Sequence, residues 1–378
     1  MSNGLYIHIP FCIRKCHYCD FISFPAGAAQ IGQYLHALQG EMALVSAHMT
    51  PEEKNLTSIF LGGGTPTCLN SCQLGNIMAN IREYFTWPAG IEVTVEANPG
   101  TLTLDKLKQL RQQGVNRLSI GIQAFQDDLL AKLGRIHRKE DISKGVTMAR
   151  EAGFANLNLD LIYGIPGQTM DQWQDSLARA VDLGLEHLAA YSLKIEEGTP
   201  YHEAYKKGNL TPCEEELELE MYLYTIEFLK SQGFHHYEIS NFALPGKESR
   251  HNLIYWLNHT YLGLGPGAHS SWRNRRTANP GTLEEYVTNI STGVFPAQVE
   301  EIITPEIAMA ETMFLGLRLT EGVDLEAFVQ RFGVRAEDVY GEAINNFVDK
   351  GLLTLKEGRL HLTRQGLPLA NLVFQAFV

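Results

Sequence analysis

The sequence contains no long hydrophobic run and no surplus of basic residues. In 378 residues, no apolar stretch approaches the roughly 20 residues that a membrane-spanning helix requires. The net charge is −12, from 43 acidic and 31 basic residues, which disfavours nucleic-acid phosphate and anionic membranes as general partners. These absences predict that the chain is not an integral membrane protein and binds no nucleic acid.

A secretion signal and a disulfide framework are also missing. The first residues, MSNGLYIHIP, lack the basic start and the long apolar stretch of a signal peptide. Six cysteines in a chain of this length are not the dense pattern of a small disulfide-stabilised domain. We therefore expect a cytoplasmic protein, in which a cysteine cluster more often binds metal.

Short apolar runs typical of strands alternate with amphipathic helical segments through the first half of the chain. Six strands are predicted, over residues 5–8, 58–61, 92–96, 117–122, 157–162 and 187–193. Five helices are predicted between them, over residues 30–48, 73–85, 103–113, 139–152 and 170–183. This alternation indicates βαβ units and a parallel sheet. Six units are fewer than the eight of a closed barrel, so we predict an α/β fold, a partial (β/α)6 TIM-like barrel.

The alternating pattern ends near residue 200, which predicts further regions. We predict the barrel over residues 1–235, a connecting region over 236–300 and a C-terminal domain over 301–378. Residues 235–272 read as irregular and are rich in histidine and aromatic residues. The last region is mostly helical and ends in a short hairpin, which indicates a small winged-helix-like domain.

Polar or glycine-rich elements follow five successive predicted strands. In barrels of this kind, ligands bind at the carboxyl ends of strands and in the loops that follow them. These positions hold a cysteine cluster, the run Gly62-Gly63-Gly64-Thr65, and then Glu96, Gln123 and Asp160. The sequence therefore predicts a ligand site at this rim.

Three of the six cysteines, Cys12, Cys16 and Cys19, fall in the stretch YIHIPFCIRKCHYCDF after the first strand. One interpretation is a zinc site with His17 as fourth ligand, although structural zinc sites usually draw ligands from two separated pairs. A redox pair at Cys16 and Cys19, or three buried inert thiols, are further alternatives. An iron–sulfur cluster fits better, since four-iron clusters normally take four thiolates and three leave one iron open.

The remaining cysteines offer no second pair of zinc ligands. Cys68 and Cys72 are spaced as neighbours on one helix face, and Cys213 is alone.

The spacing CxxxCxxC after the first strand, with Tyr18 before the last cysteine, resembles the radical S-adenosylmethionine (SAM) superfamily. The resemblance implies a 4Fe–4S cluster on the three cysteines, with SAM bound to the open iron through its amino and carboxylate groups. It also implies that the glycine run meets the SAM amino group and that Arg135 pairs with the SAM carboxylate. The residues that the resemblance assigns to SAM are Tyr6, Tyr18, Gly63, Gly64, Thr65, Glu96, Gln123, Arg135 and Asp160.

The stretches YIHIPFC, GGGTPT, VEANP, SIGIQAF and LIYGIPGQT together resemble oxygen-independent coproporphyrinogen III oxidases and their haem-chaperone relatives. In the oxidases a further cysteine follows two residues after the third, and this chain has Phe21 there. The chaperone branch carries an HNxxYW motif, which matches His251, Asn252, Tyr255 and Trp256. Both features favour a haem chaperone. The oxidase, a radical decarboxylase, is the alternative, and no catalytic residue is predicted.

The region 235–276 suits a porphyrin, which needs an apolar face, an axial donor and cations for its propionates. It supplies five histidines, several aromatic residues and the basic cluster Arg273, Arg275 and Arg276. The alternative is that these histidines pack internally and that the arginines form a solvated face. The resemblance implies haem, haem-accepting proteins such as respiratory ones, and an electron donor as partners. It also implies a dimer that depends on the cluster.

Overall fold

A computed structural model of the chain describes residues 3–378 and contains the predicted partial barrel. Its six parallel strands pair in chain order: β1 (Asn3–Ile9), β2 (Ser58–Gly63), β3 (Glu92–Ala97), β4 (Arg117–Gln123), β5 (Leu157–Tyr163) and β6 (His187–Ser192). The helices between them are α1 (Ala28–Ala47), α2 (Ser71–Tyr84), α3 (Leu104–Gln112), α4 (Asp127–Leu133), α5 (Lys139–Glu151) and α6 (Met170–Asp182). The predicted fold class is confirmed, and of these six α-helices only the short α4 lacked a prediction.

The parallel strands are buried on both faces. Almost every residue of β3, β4 and β5 is inaccessible to solvent, because helices cover one face and lumen side chains fill the other. Reciprocal side-chain caps fix where several helices begin. At α2, Asn70 accepts a bond from the Gln73 amide while the Gln73 side chain accepts from the Asn70 amide.

The prediction that Cys68 and Cys72 share one helix face is wrong. Cys68 ends the 3₁₀ turn Pro66–Cys68, and Cys72 lies in the first turn of α2. Since Asn70 caps α2, the helix begins after Cys68.

The region 235–272, expected to be irregular, contains four strands and a helix. Two helices precede it, α7 (Pro200–Lys206) and α8 (Glu215–Ser231). Within the region lie β7 (His235–Glu238), β8 (Asn241–Ala243), α9 (Arg250–Trp256), β9 (Thr260–Leu264) and β10 (His269–Trp272). After it come β11 (Arg275–Ala278), α10 (Leu283–Ser291) and β12 (Gln298–Ile302). β9 pairs parallel to β1 and β8 antiparallel to β6, which extends the sheet to 12 strands. Strands of three to five residues are too short to show a periodic pattern in the sequence.

The last part of the chain has its own hydrophobic core, built around Met313, Phe328 and Phe347. Its elements are α11 (Pro305–Gly316), β13 (Val323–Asp324), α12 (Leu325–Phe332), α13 (Ala336–Asp349), β14 (Leu353–Lys356), β15 (Arg359–Leu362) and α14 (Ala370–Phe374). The three strands form a small antiparallel sheet beside the helices, as in the predicted winged-helix-like arrangement. The domain limits at residues 235 and 300 stay a proposal.

Across residues 3–378, no helix combines the length and the apolar content that crossing a membrane requires.

Candidate functional site

A cavity of about 520 Å³ lies inside the partial barrel. Side chains from the cysteine loop and from the carboxyl ends of β2 to β6 line one end of it, and Asn241 and Asn252 lie at its wall. Its size is typical of a site for a small ligand or cofactor. The structure thus brings the predicted rim elements around one space.

Backbone bonds close the cysteine loop at its base and join its middle to the end of α4. The Cys12 amide donates to the Phe24 carbonyl over 3.1 Å, and the His17 amide donates to the Leu133 carbonyl over 3.0 Å. Cys12, Cys16 and Cys19 are free thiols that are partly accessible and line the cavity. The loop therefore presents three thiols to one space.

His17 is turned away from these thiols. Its Nδ1 lies 2.9 Å from the Lys132 carbonyl oxygen, and the ring packs against Gly134. Within residues 3–378, no three His, Cys, Asp or Glu side chains are gathered at single-ion distance. A four-iron cluster does not need such gathering, because each thiolate binds a different iron.

The glycine run lies directly against the cysteine loop. The Gly64 amide donates to the Ile9 carbonyl over 2.9 Å, and a Cβ on Gly64 would stand 2.6 Å from the Phe11 carbonyl oxygen. Gly63 has φ of +105°, a conformation that L side chains rarely adopt. Glycine is therefore required here for a close backbone approach, which leaves the backbone of Gly63, Gly64 and Thr65 at the cavity.

Two half-buried carboxyl groups face the cavity, Glu96 on β3 and Asp160 on β5. Glu96 Oε2 accepts from the Gly63 amide over 3.1 Å, and Asp160 accepts from Asn158 over 2.7 Å and from Ser119 over 3.3 Å. Burial, followed by repulsion from Asp160, raises the pKa of Glu96 to about 8. Burial also raises the pKa of Asp160. A ligand that donates hydroxyl groups or carries positive charge would favour the ionised carboxylates.

Arg135 reaches the cavity beside the cysteine loop. Its Nη1 donates to Cys16 Sγ over 3.5 Å and its Nη2 donates to the Gly121 carbonyl. Its Nε is buried and has no hydrogen-bond partner among the described residues. Gln123, at φ of +69°, and half-buried Tyr18 line the same space. The orphaned Nε indicates that a ligand acceptor is missing from this end of the site.

Tyr6 is the one predicted SAM residue that does not line the cavity in the described part of the chain. Its hydroxyl lies 3.0 Å from His8 Nδ1, and its ring centroid lies 6.2 Å from that of Phe60. The structure therefore brings all predicted SAM residues except Tyr6 together with the three cysteines.

The HNxxYW motif forms helix α9, which lies under the amino ends of β1 to β3. Glu92, at the start of β3, accepts from Ser249 Oγ, the Arg250 amide and the His251 amide, over 3.4, 3.1 and 3.0 Å. A carboxylate at a helix N-terminus satisfies free amides and the helix dipole. Glu92 therefore fixes α9 to the barrel.

His251 is buried, and both of its ring nitrogens are occupied. Nδ1 lies 2.7 Å from Ser58 Oγ, and Nε2 lies 2.9 Å from the Tyr255 hydroxyl. Burial lowers the pKa of His251 to about 3, so the ring is neutral. An iron–nitrogen bond at His251 would require the ring to give up one of these partners.

Asn252 and Trp256, two further residues of the motif, point in different directions. The guanidinium of Arg318 lies 4.2 Å from the centre of the Trp256 ring, so Trp256 joins α9 to the C-terminal part of the chain. Asn252 lines the cavity, whereas His251, Tyr255 and Trp256 do not. Of the four predicted haem contacts, the structure places only Asn252 at the cavity.

Two of the three arginines predicted to bind propionates are engaged elsewhere, and the third, Arg275, is exposed at the surface. Arg273 pairs with Glu53 over 2.8 Å, and Arg276 pairs with Glu301 and Glu311.

Several cavity residues were missed by the sequence analysis, among them Arg117, Ser119 and Asn158. The signal was present, because these polar residues occupy alternate positions in otherwise apolar strands and therefore share the lumen face.

Comparisons with known proteins agree with this architecture. Residues 6–180 match the radical SAM superfamily, and residues 303–369 match the HemN C-terminal domain. The chain is 41% identical over 377 residues to the heme chaperone HemW of Bacillus subtilis, covering 100% of this chain and 99% of that protein. It is 30% identical over 386 residues to the heme chaperone HemW of Escherichia coli, covering 99% and 98%.

A solved structure gives the same architecture. Coproporphyrinogen III oxidase (HemN) from Escherichia coli, described as a radical SAM enzyme, superposes with a TM-score of 0.87 at 25% identity, covering 100% of this chain and 90% of that chain. With relatives that are similar over their whole length and with the radical SAM and HemN C-terminal regions in place, the chain belongs to the HemW family of radical SAM proteins.

Proposed function

We propose that this protein is a haem chaperone, which binds haem and delivers it to acceptor proteins. The radical SAM domain implies a 4Fe–4S cluster and SAM. The single observation that carries the proposal is the convergence of three free thiols, a close-packed glycine run and Asn252 of the HNxxYW motif on one cavity, in a chain that resembles heme chaperones throughout.

Cys12, Cys16 and Cys19 would hold the cluster, leaving one iron for SAM. The chemistry that a reduced cluster would supply there is one electron for the SAM sulfonium. The backbone of Gly63 to Thr65 would orient the SAM amino group. Arg135 would use its unpartnered Nε on the SAM carboxylate, because charged hydrogen bonds from a guanidinium are strong and directional.

Glu96 and Asp160 would accept hydrogen bonds from ribose hydroxyls. Gln123 and Tyr18 would complete the walls of the SAM site. Tyr6 would act indirectly, through His8.

The haem part of the proposal depends on the HNxxYW motif. Asn252 would contact the ligand directly, whereas Tyr255 and Trp256 would hold α9 in place. For His251 to bind the haem iron, its ring would have to move and give up the hydrogen bond to Ser58 or to Tyr255.

The test is a haem titration of anaerobically purified, cluster-loaded protein, followed by absorbance. We expect saturable binding, and the triple variant Cys12→Ala, Cys16→Ala, Cys19→Ala should lose iron and labile sulfide. Cys213→Ala is the matched control, since Cys213 does not line the cavity in the described chain. A cluster-loaded protein that binds no haem would refute the chaperone.

A second function, oxidative decarboxylation of coproporphyrinogen III, is favoured by the structural likeness to HemN. The same cluster-loaded sample, supplied with SAM and a reductant, would then form protoporphyrinogen. We expect no such product, since Phe21 occupies the position of the further cysteine of the oxidases. Sustained product formation would establish the enzyme instead of the chaperone.

The remaining parts of the proposal concern the surroundings of the protein. They are a cytoplasmic location, an electron donor for the cluster, respiratory haem acceptors and a dimer that forms with the cluster. Light scattering of cluster-loaded and cluster-free samples tests the dimer, and an unchanged mass would remove it.

A further inference from the structure

A buried cation without a partner lies at the deep end of the cavity. Arg117, the first residue of β4, is 2% exposed and lines the cavity. No atom of residues 3–378 forms a hydrogen bond or an ion pair within 4.0 Å of its guanidinium, and its Nε is buried. A guanidinium has five donors, and a buried charge without a partner is costly. Such a group indicates a ligand of opposite charge.

Two neutral polar side chains of the barrel interior have unused hydrogen-bonding capacity. Thr94 is paired with Arg117 in the sheet, and its hydroxyl is buried without a partner in the described chain. Asn252 lines the cavity, and its side-chain amide forms no hydrogen bond with any described residue. Thr94, Arg117 and Asn252 together form what we call the deep subsite.

The carboxylates of the protein itself are committed elsewhere. Glu92 accepts three bonds from the start of α9, and Asp160 accepts from Asn158 and Ser119. Glu96 accepts from the Gly63 amide. All of them stand farther from Arg117 than an ion pair allows. From beyond that distance the Arg117 charge still opposes the rise in the pKa of Glu96 and of Asp160. The deep subsite therefore has donors in excess of acceptors.

We propose that the deep subsite binds a carboxylate group of an organic ligand. A guanidinium fork matches a carboxylate with two parallel hydrogen bonds, and the Asn252 amide would add a further donor from the cavity wall. Thr94 does not line the cavity and would support Arg117 from its neighbouring position in the sheet. The identity of the ligand rests on the proposed function, under which there are two sources of carboxylate. One is the carboxylate of the SAM methionyl portion, and the other is the propionate side chains of haem.

The position of the deep subsite favours a propionate. Arg117 and Gln123 stand at opposite ends of β4, roughly 20 Å apart along the strand. The SAM carboxylate is expected beside Arg135 at the rim, where Arg135 contacts Cys16. A second carboxylate-bearing ligand is therefore needed to reach Arg117.

The experiment compares acids with analogues that lack the acid, on cluster-loaded protein. Haem is titrated against haem dimethyl ester, and SAM against decarboxylated SAM. We expect the native chain to prefer haem over its ester by about 10- to 100-fold, the value of one or two charged hydrogen bonds. In Arg117→Gln this ratio should fall to near one, with the affinity for the ester unchanged.

The outcomes separate the deep subsite from the proposed function. A ratio that is unchanged in Arg117→Gln, or no preference for the acid in either pair, would overturn the deep subsite. If Arg117→Gln removes the preference for SAM over decarboxylated SAM but not that for haem over its ester, the deep subsite is supported and its carboxylate is assigned to SAM. If neither haem nor its ester binds, the chaperone proposal fails, and the SAM pair still decides the deep subsite.

Two further variants guard against misfolding. Asn252→Ala removes a side chain that faces the cavity, and it should lower the acid-over-ester ratio about 3- to 10-fold; an unchanged ratio would count against the deep subsite even if Arg117→Gln does not fold. Arg179→Gln, on the half-exposed face of α6, is the charge-matched control and should leave the ratio unchanged.

Discussion

Replacing Glu92 by Gln should release helix α9 from the barrel. The Glu92 carboxylate accepts the Arg250 and His251 amides and the Ser249 hydroxyl, and it is 6% exposed. Hydrogen bonds to a charged group contribute roughly 1.5–3 kcal/mol against about 1 kcal/mol for neutral ones. An anion at a partly buried helix N-terminus adds up to about 2 kcal/mol. Glutamine keeps one acceptor oxygen, so we expect α9 to lose about 2 kcal/mol of local stability.

Native-state hydrogen exchange measures this loss directly, because the amides of Arg250 and His251 are themselves donors to Glu92. A loss of about 2 kcal/mol corresponds to roughly 30-fold faster exchange at these two amides. Glu83→Gln, on the exposed surface of α2, is the control and should leave their exchange unchanged. If exchange in Glu92→Gln accelerates less than about threefold, Glu92 does not anchor α9.

Three further predictions follow from single contacts. Gly64→Ala should prevent SAM binding in equilibrium dialysis, because the new Cβ would stand 2.6 Å from the Phe11 carbonyl oxygen and push the glycine run away from the cysteine loop. A native affinity for SAM would show that the two loops move apart without harm to the site. Burial raises the pKa of Glu41 to about 7 from its ordinary 4.5, so between these pH values the folded protein keeps Glu41 protonated while the unfolded chain loses the proton. The free energy of unfolding should therefore fall by on the order of 3 kcal/mol as pH rises from about 4.5 to 7. Urea titrations across this range should show less pH dependence in Glu41→Gln, and an equal slope would contradict the assignment. Arg318→Ala should lower the melting temperature and reduce the free energy of unfolding by about 3 kcal/mol, because it leaves Glu238 buried without its cation and uncovers Trp256. An unchanged melting temperature would show that Arg318 does not join α9 to the C-terminal part of the chain.

The barrel could be predicted from the sequence because its strands and helices are long and regularly alternating. Each of the six strands begins within two residues of its predicted start. The cysteine loop and the glycine run were also foreseen, since barrel geometry sends the loops after successive strands to one rim. Local pattern and global fold agree in this half of the chain.

The HNxxYW region could not be predicted in the same way. Its strands are short, and the partners of α9 lie far away in the sequence, at Glu92 and Ser58. A motif describes which residues occur together, but it does not state whether a histidine faces a ligand or the interior. Arg117 was overlooked because an arginine at the start of a predicted strand resembles a solvated strand end, although it shares one strand face with Ser119.

The pairing of β9 with β1 has a consequence for synthesis on the ribosome. Asn3 lies beside Thr260, so the first strand gains its second neighbour only after more than two-thirds of the chain has emerged. Until then one edge of β1 exposes free backbone amides and carbonyls, which invite pairing with foreign strands. Contacts this distant also slow folding, because a long loop must close before they form. The nascent chain is therefore most prone to aggregation between the completion of β6 and the arrival of β9.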